Sequence, residues 1–168
     1  MSINHIHRPP FVCSIRRGQW GVNVFSVSDQ CLALCTKDSL ARLMPEYVCN
    51  EVLARTPYEI WHINDKKVFA EYRLQKKQII VGGSKEDLGQ GDTIPFLAYG
   101  FLERQGQANK EATIHGAGLS FGESGIVILG KEGSGKTTLA LELSLNYGFK
   151  LIANDLLVVG AQDHDIWM

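Results

Sequence analysis

The stretch that most limits the fold is Gly130-Lys131-Glu132-Gly133-Ser134-Gly135-Lys136-Thr137. It satisfies G-x-x-x-x-G-K-[ST] at every fixed position. It follows the apolar run GIVIL (125–129) and precedes KTTLALELSLNY (136–147). The first has the length and character of a strand covered on both faces. The second has helical spacing, with Leu139, Ala140, Leu143 and Leu145 able to face a sheet. Gly148 then stands where a helix ends. KLIANDLLVVG (150–160) reads as another buried strand. Strand, glycine-rich turn, helix and strand predict a βαβ unit of parallel sheet, and so an α/β fold.

Each residue type in the loop has a chemical reason. The glycines let successive backbone N–H groups converge on phosphate oxygens, and the following helix aims its positive end at the same anion. Lys136 is the flexible cation for the outer phosphates. The Thr137 hydroxyl is a hard oxygen donor suited to Mg²⁺. Asp155 follows after room for one helix only, and a carboxylate there would hold the metal opposite Thr137. On a buried strand that carboxylate would need a partner. His115, in ATIHGAGLSF (112–121), is expected on a strand beside the loop strand. Glu123 and Glu132 border the loop and read as solvated turn residues. Asp163, His164 and Asp165 read as a solvated hairpin turn rather than a metal site.

The rest of the chain says less. Its 168 residues suit one domain, or one with a small appendage. With 45% hydrophobic and 21% charged residues, it is neither a disordered tail nor a coiled coil. A net charge of −1 argues against nucleic acid as a general partner. No apolar run approaches the ~20 residues of a membrane span, and the N-terminus lacks a signal-peptide core, which predicts a soluble cytoplasmic protein. Cys13, Cys31, Cys35 and Cys49 lack the paired spacing of a zinc site and read as reduced core thiols. Residues 1–18 are expected to be an irregular arm, 20–34 a β-hairpin, and 38–54 to carry a short helix. YEIWHI, KVFAEYRL and KQIIVGG are expected as strands of a mostly antiparallel β-rich region. FLAYGFLERQ (96–105) has the spacing of a one-sided helix. The predicted division is a β-rich N-terminal region at 1–95 and a nucleotide-binding domain at 96–168.

Taken together, IHGAGLSFGESGIVILGKEGSGKTTLALELSLNYGFKLIANDLLVV resembles the catalytic domain of HPr kinase/phosphorylase and its relatives, P-loop kinases with a phosphoenolpyruvate carboxykinase-like fold. The resemblance covers about residues 112–160. It implies ATP-dependent, Mg²⁺-dependent phosphorylation of a hydroxyl: a serine of a protein or peptide, or a small molecule. Carried over by position, Gly130, Gly133, Ser134, Gly135, Lys136, Thr137 and Thr138 bind the nucleotide. Thr137 and Asp155 hold the metal. His115 lies near the transferred phosphate, and Asp155 serves in catalysis. Asn154 stands where the family has the first of two acids, and an amide cannot accept a hydroxyl proton. The family also continues beyond a point equivalent to Met168, so the chain is expected to be a truncated form or to need a partner. A nucleotide-binding regulatory or scaffold module without phosphotransfer is the alternative, and self-association is left open.

Overall fold

A computed structural model describes residues 6–28, 47–84, 86, 88, 92–162 and 165–168. They divide into two compact units, Met1–Gln105 and Gly106–Met168. Among the described residues there are twelve strands, two α-helices and one 3₁₀ turn.

The first unit is built on a six-stranded sheet. Its strands are β1 (Phe11–Arg17), β2 (Trp20–Ser26), β3 (Val48–Asn50), β4 (Glu59–Ile63), β5 (Phe69–Arg73) and β6 (Gln78–Gly82). Their spatial order is β3-β1-β2-β4-β6-β5. β2, β4 and β6 pair in parallel and the outer pairs are antiparallel, so the sheet is mixed rather than mostly antiparallel. Residues expected as an irregular arm supply β1, because Cys13 and Ile15 point into the core. The second half of the expected hairpin lies outside the described residues. So does most of the expected 38–54 helix, and its described part contains β3 instead.

Helix α1 (Thr93–Gln107) buries Ile94, Ala98, Phe101, Leu102 and Gln105, the three-and-four spacing of one helical face. Ile94, Ala98, Phe101 and Leu102 join Ile15, Val22, Val24, Ile60, Ile79 and Val81 in a single core. Nearly all of this helix therefore falls in the first unit, ten residues past the division expected at 95. Arg17 Nη1 donates to Glu103 Oε1 at 2.6 Å, with side chains only 8% and 14% exposed. Burial pushes the nearby Tyr47 phenol well above the usual tyrosine range, even though the Arg17 charge acts the other way.

The second unit carries two three-stranded sheets. One has the order β12-β11-β7, from β7 (Glu111–His115), β11 (Leu156–Gln162) and β12 (Asp165–Trp167). The other has the order β10-β8-β9, from β8 (Ala117–Phe121), β9 (Ser124–Ile128) and β10 (Lys150–Ala153). Helix α2 (Lys136–Asn146) joins β9 to β10. Both sheets are antiparallel throughout.

The expected α/β fold with a parallel βαβ unit, preceded by a small β-rich region, is therefore overturned. β9, α2 and β10 do follow one another, but β8 lies between the two strands and pairs antiparallel with each. The physical reason is that two runs read as single strands are each broken in the middle. ATIHGAGLSF breaks at Gly116, where a Cβ would stand 2.8 Å from the Ile128 carbonyl oxygen. KLIANDLLVV breaks at Asn154-Asp155. Each run serves two sheets, so neither strand needs cover on both faces. β9 and β10 are largely exposed. Ala140 is buried and Leu143 packs beside it, whereas Leu139 and Leu145 face away.

The Arg17–Glu103 pair gives a direct test of the first unit. Glu103→Gln keeps the shape but removes the carboxylate that faces the buried guanidinium. The expected loss is about 3 kcal/mol of unfolding free energy in urea titration.

Candidate functional site

The two breaks fall side by side. β7 and β11 are registered so that His115 lies opposite Leu156, which puts Asp155 diagonally next to it. The Gly116 N–H donates to the Asp155 carbonyl at 2.9 Å, so the two chain segments are tied where both change sheets. β8 then pairs with β9 so that Ala117 faces Ile128, two residues before the glycine-rich loop. Strand pairing thus brings His115, Asn154 and Asp155 to the start of that loop.

The result is a cleft of about 440 Å³ lined by His115, Gly116, Ala117, Glu132, Gly133, Lys136, Thr137, Asn154 and Asp155. Within it, His115 Nδ1 and Asp155 Oδ1 are 3.1 Å apart, with side chains 57% and 74% exposed. The buried Asp155 expected from its apolar flanks is thus corrected: at a bend between two strands the carboxylate reaches solvent. Lys136 Nζ donates to the carbonyls of Gly130 at 3.0 Å and Lys131 at 3.1 Å. Gly133 and Gly135 have φ of +72° and +86°, left-handed values that side chains rarely adopt. Gly135 is the N-cap of α2 and supplies no side-chain oxygen, so the first-turn N–H groups have no side-chain cap.

Of the residues expected to bind nucleotide, Gly133, Lys136 and Thr137 line the cleft. Gly130 sits behind Lys136 as its hydrogen-bond acceptor. Ser134 turns back on Gly130, where a Cβ would come within 2.5 Å of its hydroxyl oxygen. Thr138 is exposed on the first turn of α2 and is not part of the lining. Glu132 is exposed in a turn, as the sequence reads, and also lines the cleft. The signal was weak, because the pattern leaves that position free. Glu123 lies in the β8–β9 turn, outside the lining. Asp163 and His164 lie outside the described residues.

Among the described residues, no group of three or more His, Cys, Asp or Glu side chains could hold a metal unaided. The side-chain oxygen donors in the cleft are a hydroxyl, an amide and two carboxylates, beside the His115 imidazole. That set suits Mg²⁺ arriving with phosphate oxygens, since this ion keeps waters and takes only one or two protein carboxylates. Cys13 is buried and Cys49 half-buried. No helix among the described residues is long and apolar enough to cross a membrane. Comparison of the chain with protein-family models and with curated proteins finds no match.

An exposed contact between a histidine and a carboxylate adds little to stability. His115→Ala and Asp155→Ala are therefore expected to keep unfolding free energy within about 0.5 kcal/mol of the parent in urea titration. A larger loss would make the pair a structural clamp.

Proposed function

We propose that Gly106–Met168 carries a phosphate-binding site for Mg·ATP and transfers the terminal phosphoryl group to a hydroxyl. The acceptor is a serine of a protein or peptide, or a small molecule. The observation that carries this reading is one cleft uniting Lys136 and Thr137 of the loop with His115 and Asp155 of the sheet breaks. The likeness of residues 112–160 to HPr kinase supports the same chemistry, on the residue string alone.

Bound Mg²⁺ would draw charge from the phosphates and fix their geometry, with the Thr137 hydroxyl and Asp155 as its protein donors. Lys136 begins on two loop carbonyls. It leaves them for phosphate oxygens, exchanging neutral acceptors for charged ones and strengthening its hydrogen bonds. The uncapped N–H groups of α2 and the left-handed loop give the anion further donors. Asp155 takes the acceptor hydroxyl proton as the hydroxyl attacks phosphorus in line, and the bond from phosphorus to the β–γ bridging oxygen breaks to release ADP. His115 beside it orients the carboxylate.

A second reading, nucleotide binding without transfer, is favoured by Asn154. This amide lines the cleft where the resemblance expects an acid. Titration calorimetry with Mg·ATP tests what the two readings share. Binding is expected in the native chain and is expected to fall at least tenfold in Lys136→Ala. Equal affinities would remove both. Phosphorylated product from a hydroxyl acceptor, lost in Asp155→Ala, selects transfer over binding alone.

A further inference from the structure

Glu132 is an acid in a place meant for anions. It occupies a free position of the loop pattern, yet it lines the cleft together with Lys136, Thr137, Asn154 and Asp155. Asn154 is neutral, and Asp155 already faces His115 at 3.1 Å. Glu132 and Asp155 are thus the two acids of the lining. A carboxylate beside a bare polyphosphate is repulsive, whereas the same carboxylate beside a hard divalent cation is attractive, directly or across a water.

We infer that Glu132 makes this cleft select metal-loaded polyphosphate over the metal-free form. The inference rests on the phosphate-binding reading of Gly130–Thr137 and adds a specificity-determining residue to it. Glu132 raises the free energy of free ATP in the cleft. It lowers that of Mg·ATP through the metal's inner or outer shell. The loop then responds to the magnesium–nucleotide complex rather than to phosphate charge alone. Because the side chain is exposed, the repulsive half weakens as ionic strength rises.

The test is titration calorimetry of ATP on the full chain, once with Mg²⁺ and once with EDTA, for the native protein, Glu132→Gln and Lys136→Ala. Glutamine keeps the length and removes the charge at an exposed position, so folding is not at issue. Glu132→Gln is expected to bind metal-free ATP about threefold to tenfold more tightly. The gain in affinity that Mg²⁺ confers is expected to shrink by a similar factor. An unchanged ratio of the two affinities would overturn the inference while leaving nucleotide binding in place. Weaker binding of both forms would also overturn it, because Glu132 would then support the loop rather than select its ligand. Absence of ATP binding in the native chain, with Lys136→Ala the same, would overturn the phosphate-binding reading and this inference with it.

Discussion

The candidate site depends on one backbone hydrogen bond, from the Gly116 N–H to the Asp155 carbonyl. Each of these residues stands where a strand leaves one sheet for another. Pairing on one side of the break sets His115 against Leu156, and pairing on the other sets Ala117 against Ile128. The tie between them fixes where the loop starts relative to the histidine and the aspartate. Gly116 is suited to that position because the Ile128 carbonyl leaves no room for a Cβ. Leu157, one strand residue further on, fills the space above Gly118 and holds the two sheets in contact.

The polar groups in the two units have different surroundings and so different worth. In the first unit several are buried and matched. His62 is 1% exposed; its Nε2 donates to the Gly83 carbonyl and its Nδ1 lies 2.8 Å from the Ser26 hydroxyl. Asn23 closes a two-way bond with the Ala54 backbone. Such groups specify the core, and losing one partner leaves the other desolvated. In the cleft the polar groups are solvated and converge without being consumed by packing. Lys136 rests on carbonyls it can exchange, and the Asp155–His115 pair is open to water. Little stability is invested there, which leaves the charges available to a ligand.

The same contrast explains the apolar residues. Among the described residues, the first unit draws twelve buried ones into its core, whereas that of the second centres on Ala117, Leu119 and Ala140. Leu145 and Ile166 are 80% and 81% exposed. Leucine spacing in KTTLALELSLNY describes a helix correctly, but not which of its faces meets the sheet. Ala140 takes the buried position because a small side chain lets α2 approach β8.

Local chemistry was legible in the residues themselves. The loop spacing, the start of α2 at Lys136, its end before Gly148, and the strands near GIVIL, YEIWHI and KQIIVGG all follow from short-range rules of backbone freedom and side-chain period. Which strands pair was not legible. A run such as KLIANDLLVV has the same alternation whether it is one buried strand or two strands around a bend. Asn-Asp in its middle is compatible with either. Only long-range hydrogen bonds decide, because they join residues about forty positions apart, as Gly116 and Asp155 are. The amino-acid sequence alone determined that a glycine-rich loop opens a helix. Tertiary structure decided that the sheets beside it are antiparallel, that Asp155 is solvated, and that Glu132 faces the same cleft. Strand partners and side-chain exposure depend on the whole chain's packing, not on any residue's near neighbours.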